Sequence, residues 1–333
     1  MSSAKILVTG TAGFIASKVS EMLCASGTSV IGIDNVNNYY DQRLKRHRLE
    51  KLKQHDNFEF FEIDIEDRLA LRKLFADHEF SAVINLAARA GVRYSMENPH
   101  VYASTNFSGT LNLLSEMQER GIKKLVLAST SSLYAGQPMP FLETLPVNTP
   151  ISPYAASKKA AEMMAYSYHH LYGTDVSIVR YFTVYGPAGR PDMSYFRFIK
   201  WIHDEQPITV YGDGEQSRDF TFVDDIARGT IAALRPLGYE IINLGRGDNP
   251  VSINTIISKL EGMLGKKALV NYEPAHSADM ESTWADNSKA KTLLDWEPVV
   301  SIDEGLQSCV DWYVANRDLL DDMSVETAPK IET

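Results

Sequence analysis

Two hydrophobic rhythms alternate along the first half of this chain. Short, nearly continuous apolar runs at 5–9, 29–33, 58–63, 82–86, 123–128 and 176–181 predict buried strands. Between them apolar residues recur at helical intervals, which predicts a helix running to Leu23 after a glycine turn, one over 98–120, and one entered through Pro153. Strands alternating with helices specify an α/β chain with a parallel, doubly wound Rossmann sheet, whose ligands bind beyond the C-terminal strand ends. Gly10, Asp34, Asp64, Ala87 and Ser129 all stand at such ends.

After residue 183 the rhythm changes. Helices are predicted at 194–203, 226–234, 252–264 and 302–316, and short strands at 208–211 and 239–244. The sheet domain is therefore read as 1–182 with 225–244 returning to it. Residues 183–224 and 245–333 form a smaller C-terminal α/β lobe, with a frayed polar tail past Asp321.

Composition narrows the class. With 333 residues, 44% hydrophobic and 23% charged, the chain can bury a large core and has neither a disordered nor a membrane bias. No apolar run reaches transmembrane length and a strand from Lys5 leaves no room for a signal peptide, so a cytoplasmic location is expected. Cys24 and Cys309 each fall inside a helical pattern, which suggests neither a disulfide scaffold nor a metal site. The net charge of −10 speaks against nucleic acid or an anionic membrane as partner. Anionic ligands must then be held locally, by backbone amides and a few arginines. The basic run 43–48 is read as a solvated helix face.

Candidate chemistry sits at the strand ends. Gly10 and Gly13, followed by Phe14, Ile15 and Ala16, make a glycine turn between strand and helix, where backbone can approach a pyrophosphate. The spacing is Gly-x-x-Gly-x-x-Ala, not Gly-x-Gly-x-x-Gly. Asp34 ends the second strand about 20 residues further on, where a carboxylate meets an adenosine ribose and repels a 2′-phosphate, although Arg43 is near. That favours NAD. Asp64 can reach the adenine or be an ordinary loop carboxylate. Ser152 can cap the helix entered through Pro153, which puts Tyr154 and Lys158 four apart on one face. A phenol is a poor base at its usual pKa of about 10. One positive charge roughly 4 Å away, at an effective dielectric of about 20, is worth about 4 kcal/mol, or roughly three pKa units. Lys158 is thereby expected to bring Tyr154 near 7. The alternative is an ordinary surface Tyr/Lys pair.

Together the glycine loop, Asp34, the cluster Ser129-Thr130-Ser131-Ser132 and Tyr154-Ala-Ala-Ser-Lys158 resemble the extended short-chain dehydrogenase/reductase family of nucleotide-sugar epimerases and dehydratases. The likeness spans nearly the whole chain. Within the family, the stretches 90–99 and 180–193 are similar to those of UDP-glucuronate 4-epimerases. The resemblance implies an NAD that stays bound, contacted also by Asn35, Ile65, Leu86, Ala87, Ala88, Asn106, Ser129 and Tyr181. It implies that Tyr154, with Lys158 and assisted by Thr130, takes the proton of a sugar 4-OH while C4 is oxidised, and that the 4-ketosugar is reduced from its other face. It places Arg93, Thr130, Ser131, Ser132, Thr183, Val184 and Arg190 around the sugar and its carboxylate, in a pocket free of carboxylic acids. Related dehydratases carry an Asp-Glu pair where Ser131 and Ser132 stand, and related decarboxylases a Glu at Ser132. Uridine diphosphate falls to Tyr211, Arg218, His276 and Asp279. The open alternatives are an ion pair for Arg190, and Asp219 or Asp224 as partner of Arg218. Arg89 stands where relatives commonly have Gln or His. The family also implies a homodimer through a four-helix bundle built from helices near 99–120 and 152–172.

Overall fold

The computed structural model describes residues 5–248, 250–274 and 280–325. Strands β1 (Lys5–Thr9), β2 (Val30–Asp34), β3 (Phe58–Glu62), β4 (Phe80–Asn85), β5 (Lys124–Thr130) and β6 (Asp175–Tyr181) join Tyr239–Leu244 in one parallel sheet. Its order is Tyr239–Leu244, β6, β5, β4, β1, β2, β3. The direction of strand addition reverses between β1 and β4, and a crevice opens beyond the strand ends at such a reversal.

Both faces of the sheet are covered, which is why its strands read as continuous apolar runs. One face packs Val8, Val19, Val126, Val179, Ile226 and Trp296. The other packs Leu7, Ile31, Leu74, Val83, Leu125 and Ile178. A third core holds Tyr185, Phe198, Ile208, Ile256, Leu306 and Tyr313 of the C-terminal segments, and Tyr39, Tyr40 and Leu44 join it. The segment after β2 thus belongs to both halves of the molecule.

Two expectations are corrected. The basic run lies on the helix Gln42–Leu52, but Lys45 and Arg48 are buried rather than solvated, on the same face as Leu44, Leu49 and Leu52. The stretch after β4 runs through 86–91 without regular structure and then turns into the short helix Val92–Glu97. The long helix expected over 98–120 starts at His100 and contains a π-helical stretch, Ala103–Gly109, before continuing as Thr110–Glu119. Close packing accompanies the last of these: a Cβ on Gly109 would sit 2.6 Å from the Ile65 side chain.

Candidate active site

Two cavities meet above the sheet. The first is lined by Gly10, Gly13, Phe14, Ile15, Asp34, Asn35, Asp64, Ile65, Leu86, Ala87 and Ala88, all singled out from the sequence, together with Asn37, Tyr39, Lys45 and Arg89. The second is lined by Ser129, Thr130, Ser131, Ser132, Tyr154, Tyr181, Thr183, Val184 and Arg218, and by Ser152, Asp192 and Met193. Phe14, Ile15, Ala90 and Arg190 line both.

The first cavity is built to receive an anionic, extended ligand. Gly10 has φ +76°, and a Cβ there would come within 2.9 Å of the Ala87 backbone. Gly13 precedes the helix Phe14–Ala25 and offers no side-chain cap, so its first-turn amides remain for an outside acceptor. At the far end Asp34 accepts the N–H of Ala12 at 3.1 Å and of Val36 at 2.8 Å. Burial nevertheless pushes its carboxyl up, against the opposing pull of Lys45 and those amides. Asp64 accepts from Asn35 at 2.6 Å, so the two side chains form one polar edge. These residues fit a dinucleotide: small backbone at the glycine turn, and a carboxylate and an amide at the nucleoside end.

Tyr154 follows from the helix Pro153–Tyr172. The Ser152 hydroxyl accepts from Ala155 N at 3.2 Å and Pro153 occupies the first turn, which fixes where Tyr154 emerges. The expected lowering of its pKa by Lys158 is corrected here. Burial pushes the phenol up, and a hydrogen bond with Thr130 and the charge of Arg190 pull it down without prevailing. Lys158 instead donates to Ala128 O at 3.0 Å from a buried position, and burial lowers it to about 8 against the pull of Glu162.

Glu162 lies one turn beyond Lys158 and was not singled out. It accepts from Arg180 at 2.8 and 2.9 Å and from Ser129 at 2.7 Å, in a fully buried pair. The Ser129 hydroxyl is thereby turned inward. The Tyr181 hydroxyl is likewise spent on Thr230, 2.8 Å away. Asn106 lines neither cavity: it grips Arg89 N and O at 2.8 and 3.0 Å and donates to Ser157 at 2.9 Å, tying the post-β4 loop to the tyrosine helix.

Around the second cavity, Thr130 donates to Ser132 at 3.2 Å, and the Ser132 amide bonds back to Thr130 at 3.1 Å. Arg190 binds Asp192 through two contacts, 3.0 and 2.5 Å, and lies 5.6 Å over the Tyr39 ring. The expectation of a pocket free of carboxylic acids is therefore corrected by Asp192, whose two oxygens are both engaged by Arg190. Arg218 donates to Ser217 O at 2.8 Å, while Asp219 is occupied by the amides of Arg246, Gly247 and Ala285, and Asp224 lies 3.5 Å from Lys18. Arg93 stacks on Tyr211 at 4.5 Å, outside both linings. His276 and Asp279 lie outside the described residues.

Sequence reasoning missed Tyr39, Lys45, Arg48 and Asp192, and noted Arg89 only as a departure from relatives. A signal existed for two of them. Leu44, Lys45, Arg48, Leu49 and Leu52 form one helical stripe, and cations inside an apolar stripe need buried acceptors. Arg89 lines the first cavity with its Nε buried and without a hydrogen-bond partner among the described residues.

Residues 6–245 match the NAD dependent epimerase/dehydratase family. A UDP-glucuronate 4-epimerase of Thermodesulfobacterium geofontis is 61% identical over 319 residues, covering 96% of this chain and 99% of the relative. Among solved structures, the UDP-glucuronic acid 4-epimerase of Bacillus cereus in complex with UDP-glucuronic acid and NAD superposes with a TM-score of 0.88 at 39% identity, over 93% of this chain and 99% of that one. The UDP-glucose 4-epimerase of Thermotoga maritima with UDP-glucose gives 0.85 at 32%, over 94% and 99%. With its glycine turn and Asp34 lining one cavity and Tyr154 and Thr130 the adjoining one, the chain belongs to the NAD dependent epimerase/dehydratase family.

Proposed function

We propose that this chain interconverts UDP-glucuronate and UDP-galacturonate by NAD-dependent epimerisation at C4. The observation that carries this reading is the wall around Tyr154: Thr130, Ser131, Ser132 and Thr183, with Arg190, in a cavity that shares its lining with the dinucleotide cleft. Gly10, Gly13, Phe14 and Ile15 would hold the pyrophosphate of NAD, Asp34 its adenosine ribose, and Asn35, Asp64 and Ile65 the adenine end. Bound NAD would supply a reversible two-electron acceptor for the sugar carbon.

The protein's own part is proton transfer and restraint. Tyr154 accepts the O4 proton as the alcohol becomes a ketone and returns it when the ketone is reduced from the other face. The Thr130 hydroxyl, which pulls the Tyr154 phenol down, can turn its proton from Ser132 to the phenolate and steady it. Lys158, on the same helix, donates to Ala128 O rather than to the phenol. The 4-ketone of a uronic acid is a β-keto acid, which loses CO₂ when the breaking bond overlaps the carbonyl. Serine and threonine hydroxyls can hold the carboxylate out of that alignment without donating a strong acid. Elimination of water needs carboxyls beside Thr130, and those positions are Ser131 and Ser132. Arg218 and Tyr211 are assigned to the uridine diphosphate.

A neutral UDP-hexose is the second reading, favoured by the ion pair that Arg190 already makes with Asp192. Separate incubations with UDP-glucuronate and UDP-glucose decide between them. UDP-galacturonate from the first and no UDP-galactose from the second is expected; the reverse outcome establishes the hexose reading. We further propose a cytoplasmic homodimer, with 1–182 and 225–244 as its NAD-binding domain and the remainder as its substrate lobe.

A further inference from the structure

Arg48 is buried, and each of its guanidinium nitrogens is occupied. Nε and Nη2 donate to Ala188 O at 2.9 and 2.7 Å, and Nη2 also to Gly189 O at 3.0 Å. Nη1 donates to Ala12 O at 2.9 Å and to the Tyr40 hydroxyl at 2.7 Å. No carboxylate pairs with it among the described residues, so backbone dipoles carry the buried charge. Ala12 lies between the two glycines of the cofactor turn, whereas Ala188 and Gly189 lead directly into Arg190.

The 186–190 arm needs such a restraint. Ala188 sits at φ +52°, a conformation that costs a non-glycine residue energy and persists only where surroundings impose it. Gly189 has no room for a side chain, since a Cβ would fall 1.6 Å from the Tyr195 hydroxyl. That same hydroxyl donates to Gly186 O at 3.1 Å. Tyr195 and Arg48 thus grip the arm from opposite ends, and only Arg48 also holds the glycine turn. Its planar fork spans carbonyls from two separate segments, which a lysine ammonium cannot reproduce.

We propose that Arg48 is a positioning residue for substrate selection: by tying the Arg190 arm to the glycine turn, it sets Arg190 at the height where a sugar carboxylate binds. This rests on the UDP-glucuronate reading above. It concerns affinity for the carboxylate, not the chemistry at C4.

The test is a binding cycle on the purified, NAD-loaded protein, titrating UDP-glucuronate and UDP separately by calorimetry. Wild type should bind UDP-glucuronate and turn it over. Arg48→Lys should weaken UDP-glucuronate about tenfold while leaving UDP and the bound-NAD content unchanged. In an Arg190→Gln background the same substitution should have no further effect on UDP-glucuronate. Equal losses for both ligands, or an effect of the same size in both backgrounds, would overturn the proposal, since a structural role predicts those. Ala188→Gly, which loosens the arm without touching either arginine, should also weaken UDP-glucuronate selectively; unchanged selectivity there counts against the proposal even if Arg48→Lys fails to fold. Wild-type protein that binds UDP-glucuronate as predicted but yields no epimer would sink the functional reading alone.

Discussion

At the scale of single residues, the chemistry depends on two groups that burial drives in opposite directions. The Tyr154 phenol is raised and Lys158 is lowered to about 8. A site with Tyr154 as phenolate and Lys158 as ammonium is then a minor form. Below pH 8 both groups are protonated, and each unit of pH raises the phenolate fraction tenfold. Above pH 8 the lysine loses its proton as fast as the tyrosine gains phenolate character, and the product of the two levels off. Turnover of UDP-glucuronate should therefore climb with pH and reach a plateau near pH 8; a profile that is flat from pH 6 to 8 contradicts this. Tyr154→Phe should lose about 10²–10⁴-fold in kcat while still retaining NAD, measured by single-turnover assay and by the nucleotide released on denaturation. The spacing of Tyr154 and Lys158 put both on one helix four residues apart, but revealed neither that Lys158 turns to Ala128 O nor the two pKa values. Those depend on what else is buried there, and Glu162 and Arg180 come from positions that look like ordinary helix and strand charges in the sequence.

Elements set how far the sequence could be read. The strands and the helix Pro153–Tyr172 were legible because each is written locally, in apolar period, cap and breaker. Ser152→Ala should remove a cap worth about 1 kcal/mol, seen as a lower urea midpoint at unchanged slope; an unchanged midpoint would mean the cap contributes nothing. The helix Gln42–Leu52 was misread for the opposite reason. Its cations look solvated until the acceptors are known, and Ala12, Ala188 and Gly189 come together only in the folded chain. The π-helical stretch was equally hidden, and it coincides with two contacts made only in the folded chain, Gly109 against Ile65 and Asn106 on Arg89.

For the whole molecule, alternation of strand and helix predicted the parallel sheet, and the reversal between β1 and β4 brings the two cavities together. The C-terminal part was less legible because its strands are short and pair outside the main sheet, as Leu269–Glu273 does with Pro207–Tyr211. Met163, Tyr166 and Leu171 stand exposed on the helix Pro153–Tyr172, at 62%, 51% and 65%. Exposed apolar side chains at helical spacing suit a helix–helix interface. Sedimentation at micromolar concentration should give a dimer, and Met163→Glu with Tyr166→Glu should shift it to monomer; a wild-type monomer contradicts the proposed assembly.

In the proposed reaction C4 loses and regains its own hydrogen inside one site. UDP-glucuronate deuterated at C4, incubated in ordinary water and recovered as UDP-galacturonate, tests it by mass spectrometry. Full retention of deuterium at C4, with no CO₂ released, is the predicted result. Deuterium lost to solvent, or a pentose nucleotide in place of the epimer, would contradict it.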